Sequence, residues 1–400
     1  MTGKKNFLLV LITTLLISLC LLIKNNRLYD DEPGNFAQIK IFLDGKLAIS
    51  PGYPQYPGFP FIIANLGLLT GQTGYSSLRL INFIFGLSAI FIFYKLAVLT
   101  NHRHSTIKTI QFIFLPILFP YIFLLYSENM SNLLVLSSLY LVLKKKYNAS
   151  LFLSVLSVAI RQTNIIWLFF IYVYIFLDRN RGRITYKKII SHITKHWPFL
   201  IGILGFIAAV LLNHGIAMGN QSSVHPSFYF GLGNVYWSLL LFFFLFLPTN
   251  ISNYSSITGI LKKNHKLIFS VLLFILITSV TFTNSHPWNQ YPEHLRNRIL
   301  LFFTSSFTNK IMFFTIIAYS LLSLSLIKLK SKKFYFFYPF SFLALAPLWL
   351  IESRYSIIPI ILFILFRREQ KKTAELITCF LFAALSLYFY WIYLHQSFYL

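Results

Sequence analysis

The sequence predicts an all-α, polytopic membrane protein, and three observations carry this prediction. Of the 400 residues, 56% are hydrophobic and only 11% are charged, whereas soluble globular chains carry about 25% charged residues. Apolar runs of roughly 18 to 25 residues recur, which is long enough to cross a ~30 Å hydrocarbon core. Alternation of apolar and polar residues in segments of ~10 is absent. We therefore expect a transmembrane helical bundle with roughly 11 to 13 membrane segments.

The net charge of +25 reflects membrane topology rather than nucleic-acid binding. Lys and Arg stand in short clusters between apolar runs, as they do in cytoplasmic loops. Cys20 and Cys379 both lie in apolar segments, so they indicate neither a disulfide framework nor a metal motif. The first apolar segment follows Lys4-Lys5 and lacks a clear small-residue cleavage site. It is predicted to be retained as a signal-anchor helix.

Placing the basic clusters in the cytoplasm predicts the orientation of each segment across the membrane. An outer loop over residues 24–74 separates the first segment from the second, residues 178–195 form a cytoplasmic loop, and residues 283–298 form a late outer loop. The chain is predicted as one domain, 1–400. The membrane segments are predicted at 6–23, 78–99, 109–126, 130–143, 150–177, 196–213, 234–247, 267–282, 310–327, 334–350, 355–366 and 373–394.

The stretch 150–177 needs a separate interpretation. Basic clusters flank both of its ends, and the polar run Arg161-Gln162-Thr163-Asn164 lies near its middle. At 1.5 Å per residue the stretch is too short for two full crossings. Positive charge on both flanks favours two short helices that meet at a break near the outer face. A single long crossing is the alternative.

The acidic residues concentrate on the predicted outer side, although the positive-inside rule takes little notice of acids. Seven of the ten lie there, and three of these stand consecutively after Tyr29. A carboxylate within hydrogen-bond reach of a hydroxyl can remove its proton, and a water-poor interface raises a carboxylate pKa toward the range this needs. The alternative is a solvated loop or a helix N-terminus, where acids are favoured. The seven are Asp30, Asp31, Glu32, Asp44, Glu128, Glu293 and Glu352.

Polar residues that interrupt apolar sequence supply further candidates. Glu128 stands at the turn between two apolar segments, either as an ordinary turn residue or as support for the acidic loop. In the run 161–164, the rigid donor fork of Arg161 suits an anionic phosphate. Structural hydrogen bonding is the alternative for that run.

Three more groups belong to the later part of the chain. Arg354 suits a lipid phosphate with Glu352 orienting it, unless the two simply neutralise each other. His286 and Arg296 stand in a loop rich in His and Arg, which suits a polyprenyl-phosphate head group. The polar loop 219–225, which ends at His225, is a weaker candidate for ligand contacts.

Taken together, these motifs resemble the dolichyl-phosphate-glucose α-1,2-glucosyltransferase family, which belongs to the multi-pass GT-C class. The most specific match is the run Arg161-Gln162-Thr163-Asn164-Ile165-Ile166-Trp167. The other matching residues occur in family order along nearly the whole chain. They are Tyr29, Asp31, Glu32, Gly45, Pro54, Pro60, Leu78, Arg79, Asn82, Pro116, Glu128, Trp197, Pro198, Asn213, Gly215, Gly219, Ser222, Ser223, His286, Pro287, Glu352, Arg354, Tyr355 and Pro359.

The resemblance implies an inverting transfer of glucose from dolichyl-phosphate-glucose to the terminal glucose of a lipid-linked oligosaccharide, for N-glycosylation. It implies Asp31 as the catalytic base, with Glu32 orienting the loop or the acceptor. Charge at the donor phosphate would come from His286, Arg296, Arg354 and Arg161. Sugar or acceptor contacts and support would come from Glu128, Gln162, Asn164, Glu352 and His225.

The family chemistry implies no cofactor and no metal, only the lipid-linked donor, the lipid-linked acceptor and membrane lipid. It also implies the endoplasmic reticulum membrane with a lumenal active face, or the plasma membrane in a prokaryote. Three alternatives stay open. They are a GT-C enzyme for another sugar, such as polyprenyl-phosphate-mannose, a transporter or flippase, and a non-catalytic assembly subunit. A transporter tends to show inverted repeats, and none is evident here.

Overall fold

A computed structural model describes residues 2–180, 184–221, 223–227 and 229–396. Within these ranges the regular structure consists of eighteen α-helices and several 3-10 turns, with one isolated β-bridge between Leu329 and Arg367. The all-α prediction is therefore confirmed. Ser222, which belongs to the family resemblance, lies outside the described residues, as do residues 181–183 of the predicted loop 178–195.

Two units divide the chain, and unit 1 comprises residues 1–113, 118–227 and 393–396. Ten helices belong to it. They are α1 Thr2–Ile23, α2 Glu32–Leu43, α3 Gly58–Thr70, α4 Tyr75–Asn101, α5 Ser105–Ile113, α6 Glu128–Leu143, α7 Tyr147–Ile160, α8 Ile165–Arg179, α9 Tyr186–Lys195 and α10 Trp197–Leu212.

The predicted outer loop 24–74 contains two helices, α2 and α3. Ile39 of α2 and Phe59 of α3 are fully buried in a hydrophobic core with Leu78 of α4. Burying a side chain of this size contributes about 1.5–3 kcal/mol. A side chain on Gly58 would lie 2.4 Å from the carbonyl oxygen of Ala159, so this glycine lets the start of α3 approach the end of α7.

The predicted segment 109–126 is wrong beyond Ile113, where α5 ends. Pro116 and Pro120 follow, and a proline cannot donate the backbone hydrogen bond that continues a helix. The chain forms a 3-10 turn at Phe119–Ile122 before α6 begins at Glu128.

The predicted break in 150–177 is confirmed. Helix α7 ends at Ile160, a 3-10 turn spans Gln162–Asn164, and α8 begins at Ile165. Arg161 has extended backbone angles, φ −144° and ψ 122°, which interrupt the helix. The loop predicted at 178–195 contains α9, whose polar and apolar residues alternate at helical spacing.

Among the described residues, unit 2 comprises 114–117 and 229–392. Its core includes Trp237, Leu300, Phe313 and Phe314, each 2% exposed or less.

The segment predicted at 334–350 is helical only to Leu345, before Pro347. The helices are α11 Gly233–Leu245, α12 Leu247–Lys263, α13 His265–Thr281, α14 Leu295–Thr304, α15 Phe307–Leu326, α16 Phe337–Leu345, α17 Ile357–Phe366 and α18 Lys372–His395, whose last residues count with unit 1.

Three helices of the described chain are long and apolar enough to cross a membrane, namely α4, α15 and α18. The number rises to five if α9 with α10, bent by 76°, and α11 with α12, bent by 95°, each form one span. Helix α13 carries an exposed apolar stripe formed by Phe269, Leu272 and Leu276. Such a stripe suits contact with lipid tails. The multi-pass prediction is thus confirmed, while the number of 11 to 13 segments stays a prediction.

Candidate active site

Asp31 stands immediately before α2, so the structure places the acidic turn at a helix N-terminus. Its side chain is exposed and makes no capping hydrogen bond to the helix. Its backbone N–H donates to the Tyr126 hydroxyl at 2.9 Å. The backbone of Asp31 is therefore fixed by protein contacts while its carboxylate lies at the surface of unit 1.

Glu32, the next residue, is fully buried. Arg79 donates from Nε to Oε1 at 2.8 Å and from Nη2 to Oε2 at 2.5 Å. The backbone N–H groups of Leu125 and Tyr29 also donate to this carboxylate, at 2.8 and 3.2 Å. Of the two roles predicted for Glu32, this geometry supports orientation of the loop.

Arg79 also gathers the backbone that leads into the acidic turn. Its guanidinium donates to the carbonyl oxygens of Ile23 at 3.0 Å, Asn26 at 2.7 Å and Arg27 at 3.1 Å. The carbonyls at the end of a helix lack partners within the helix, and Ile23 is the last residue of α1. One buried side chain therefore joins the end of α1, the following loop and the start of α2.

Asp30 has a different environment from its two acidic neighbours. Its φ of +58° lies in the left-handed region, which Asp and Asn tolerate better than other side chains. Its Oδ2 accepts a hydrogen bond from the Tyr393 hydroxyl at 3.3 Å. These contacts describe a turn-forming residue.

Glu128 begins α6 and forms a hydrogen-bonded ion pair with Arg161. Both side chains lie mostly inside the protein, 2% and 12% exposed. Just before Glu128, the Ser127 hydroxyl donates to Oε1 of Gln55 at 2.9 Å. The Tyr126–Glu128 turn thus contacts the acidic turn through Tyr126, the segment 51–60 through Ser127, and the 161–164 run through Arg161.

Gln162 and Asn164 have supporting positions. Nε2 of Gln162 donates to the Pro54 carbonyl at 2.9 Å, and its Oε1 accepts from the Tyr56 backbone at 3.3 Å. Asn164 donates to the Ser131 hydroxyl at 2.8 Å. Within the 161–164 run these two amides therefore hold backbone and neighbouring helices in place.

The polar loop 219–225 packs against the segment 51–60 as well. The Asn220 N–H donates to the Pro51 carbonyl at 2.8 Å. Gly219 has a φ of +60°, and a side chain there would lie 2.4 Å from the Pro51 oxygen. His225 is partly buried in the following turn, where its N–H donates to the Gln221 carbonyl. Four predicted motifs therefore converge within unit 1, and we call this group the unit 1 site.

Unit 2 holds a separate charged cluster around Glu352, which is 1% exposed. Arg296 donates to its Oε1 at 2.8 Å, and Arg354 donates to both oxygens at 2.7 and 2.8 Å. Burial raises the pKa of the Glu352 carboxyl, but the guanidiniums of Arg296 and Arg354 outweigh it and lower the pKa to about 2. Two guanidiniums against one carboxylate leave the cluster with surplus positive charge, and we call it the unit 2 cluster.

His286 is buried in unit 2 at the start of a 3-10 turn. Its Nδ1 accepts a hydrogen bond from the Trp288 N–H at 3.1 Å, and its ring centroid lies 4.7 Å from that of Trp349. Asn289 of the same turn donates to the Ile351 carbonyl at 2.9 Å. These contacts fix the late loop against the segment that carries Glu352.

Comparison with known proteins gives this geometry a context. The model of the DIE2/ALG10 family matches residues 61–188. A protein from Candida albicans is 27% identical over 308 residues, which cover 69% of this chain and 65% of the Candida protein. A protein from Homo sapiens is 24% identical over 400 residues, which cover 84% of this chain and 83% of the human protein. The resemblance to this family is confirmed.

Both relatives carry the name Dol-P-Glc:Glc(2)Man(9)GlcNAc(2)-PP-Dol alpha-1,2-glucosyltransferase. No solved structure matches the chain. The segment matched by the DIE2/ALG10 family model includes Arg79, Glu128 and Arg161 but neither Asp31 nor the unit 2 cluster. The chain spans just under two thirds of the length of the Candida relative.

Several residues of the unit 1 site carry contacts that sequence reasoning did not assign. The sequence did indicate a role for Arg79, because a lone arginine near the end of an apolar segment usually has a buried partner. The sequence held no such signal for Tyr126 and Gln55, since tyrosine and glutamine are ordinary residues of interfacial loops. Only the folded chain brings them beside the acidic turn or the Glu128–Arg161 pair.

Proposed function

We propose that this protein is an inverting membrane glucosyltransferase. It moves glucose from dolichyl-phosphate-glucose to the terminal glucose of a lipid-linked oligosaccharide and forms an α-1,2 linkage for protein N-glycosylation. The names of the relatives support the donor, the acceptor and the linkage. The place of action in this proposal is the endoplasmic reticulum membrane, with Asp31 on the lumenal side, or the plasma membrane in a prokaryote.

The observation that carries this proposal is the contrast between Asp31 and Glu32. Adjacent carboxylates point into opposite environments, one exposed and one fully buried against Arg79. A general base must reach within a hydrogen bond of the proton it removes. The exposed carboxylate of Asp31 is accessible to a ligand arriving from outside unit 1, and the buried pair holds its backbone in place, which supports this role.

The proposed reaction assigns each atom a destination. Asp31 takes the proton of the acceptor sugar hydroxyl, and the oxygen attacks C1 of the donor glucose. The bond from C1 to the phosphate oxygen breaks, and its electron pair leaves with dolichyl phosphate. Attack from the face opposite the leaving group inverts C1, so an α product requires a β-linked donor.

The leaving phosphate gains negative charge, which fixed positive groups stabilise. Arg296 and Arg354 remain predicted phosphate contacts, and within the unit 2 cluster they outnumber the carboxylate they share. Arg161 and His286 remain predicted phosphate contacts, and His225 remains a predicted sugar contact. No step of this scheme uses a metal or a cofactor, so transfer is expected to continue unchanged in EDTA.

The test uses purified full-length protein with labelled polyprenyl-phosphate-glucose and a lipid-linked oligosaccharide acceptor. Asp31→Asn keeps the size and polarity of the side chain but removes the base. General base catalysis contributes about 10²–10⁴-fold, so kcat is expected to fall by about that factor. Asp30→Asn is the matched control and is expected to keep full activity, because Asn also adopts a left-handed turn.

Two results would contradict the proposal. Full activity of Asp31→Asn would remove Asp31 as the base. Transfer from polyprenyl-phosphate-mannose, with none from the glucose donor, would make the protein a GT-C enzyme for another sugar. Both variants are also compared by thermal melting, so that loss of folded protein is not mistaken for loss of chemistry.

A further inference from the structure

Several buried polar atoms in the part of unit 1 that the structure describes have no hydrogen-bond partner, and they lie on segments that contact one another. Among the described residues, these atoms include the hydroxyls of Tyr53 and Tyr56, Oε2 of Glu128 and Nδ2 of Asn132. Each of the four residues is less than a tenth exposed. Proteins leave few such atoms, because a buried polar group without a hydrogen bond pays the cost of losing water. These four atoms are therefore available for hydrogen bonds to a ligand.

The four atoms belong to segments that contact one another. Glu128 and Asn132 lie one turn apart on the same face of α6. Gln162 holds the segment that carries the two tyrosines, through the Pro54 carbonyl and the Tyr56 backbone. Its neighbour Arg161 pairs with Glu128 through the other carboxylate oxygen, Oε1.

Tyr53 is a hydrogen-bond donor in this setting. Burial raises the pKa of its hydroxyl, and the charges of Arg161 and Glu128 act on the same group. The phenol therefore keeps its proton at neutral pH. Asn132 supplies an amide donor, and Oε2 of Glu128 is an acceptor.

This combination fits a sugar better than a phosphate. A hexose hydroxyl donates one hydrogen bond and accepts others, so it needs both kinds of partner. A phosphate oxygen accepts hydrogen bonds, as Oε2 of Glu128 does, so these two oxygens could not pair with each other. We propose that Tyr53, together with Oε2 of Glu128, binds a hydroxyl of a hexose and helps to determine sugar specificity.

This inference rests on the proposed function, because it places a sugar of the reaction beside Tyr53. The hexose has two possible sources with the same chemistry, the glucose of the lipid donor and the terminal glucose of the acceptor. Separate binding measurements distinguish them. One probe is polyprenyl-phosphate-glucose, and the other is a glucose-terminated lipid-linked oligosaccharide.

The experiment compares Tyr53→Phe with wild type as full-length purified protein, and it measures the dissociation constant of each probe without requiring turnover. Loss of one hydrogen bond is expected to weaken at least one probe by about three- to tenfold. The melting temperature is expected to stay the same or rise, because the Tyr53 hydroxyl has no partner among the described residues.

Tyr172→Phe is the matched control. The Tyr172 hydroxyl is also buried without a hydrogen-bond partner in the described chain, but its ring packs against His192 and Phe199. Its removal is expected to leave both dissociation constants unchanged.

Unchanged binding of both probes to Tyr53→Phe would overturn the inference. So would a lower melting temperature or failure to fold, because either would assign the hydroxyl to the structure itself. Failure of the proposed function would be recognised by a different result. Wild-type protein would then transfer no glucose, whatever the dissociation constants of the variant.

Discussion

The ion pair between Glu32 and Arg79 permits a direct test of how the acidic turn is held. The perturbation is Arg79→Met, which keeps much of the side-chain volume and removes the guanidinium. The variant leaves a fully buried carboxylate without its cation, and it removes the guanidinium donor from the Ile23, Asn26 and Arg27 carbonyls. We expect loss of stability together with loss of activity.

The magnitude follows from the burial of the pair. Side-chain exposures of 1% and 0% place it in the class where removal of one partner costs about 3–5 kcal/mol. Replacing both partners by apolar residues is often nearly neutral. The double variant Glu32→Leu with Arg79→Met is therefore expected to recover about 2 kcal/mol or more of the loss, as a coupling energy.

The assay is a double-mutant cycle on purified protein, with stability from denaturation in detergent and kcat from glucose transfer. Arg367→Met is the matched control, because Arg367 and Glu375 also form a buried pair, with distances of 2.5 and 2.7 Å. The control is expected to lower stability while the activity of the folded fraction is kept. The Arg79 double variant is expected to regain stability but not kcat, since the Asp31 turn stays unfixed.

Additive effects of the two single substitutions would refute this reasoning. Additivity would mean that Glu32 and Arg79 do not depend on each other. Unchanged kcat in folded Arg79→Met protein would show that the pair does not position Asp31.

The other predictions concern backbone conformation and pH. Gly219→Ala is expected to reduce stability and activity through contact with Pro51. Gly45→Ala, at φ +75° with nothing within 4 Å, is expected to cost only the backbone strain of about 1–2 kcal/mol. Asp30→Ala is expected to lower the melting temperature through its positive φ, with kcat unchanged. Because the Glu352 pKa falls from 4.5 to about 2, its stabilisation is complete above pH 4.5 and is lost toward pH 2. The melting temperatures of wild type and Glu352→Gln should therefore converge over that range, and a constant difference would contradict it.

Much of the helical architecture follows from apolar length and polar breaks. The break at Arg161 was predictable, because four polar residues in an apolar run cannot all face lipid. The ends of α5 and α16 were missed, although Pro116 and Pro347 mark them, since hydropathy alone does not register a missing backbone donor. The helices of the first outer loop were missed for another reason. Helix α2 begins Glu32-Pro33-Gly34 and is too short to resemble a membrane span.

The candidate site was predictable only in part. Glu128 and Arg161 were each found as polar residues in apolar surroundings, but their pairing joins residues 33 positions apart in sequence. No local pattern determines which buried acid meets which arginine. Tyr53 lay inside a segment noted only for its Pro, Tyr and Gly content, and its importance depends on an atom that lacks a partner after folding.

The burial of the acidic residues distinguishes the three glutamates that hold the structure together from the aspartate that is proposed as the base. Glu32, Glu128 and Glu352 are each 2% exposed or less, and each contacts at least one arginine. Protonating such a carboxylate would leave a guanidinium charge buried and uncompensated, at a cost of several kcal/mol. A base that must accept a proton in every turnover cannot bear that cost. The Asp31 carboxylate is exposed at the start of α2, so the proposal gives the role of base to Asp31 and the anchoring role to Glu32, which pairs with Arg79.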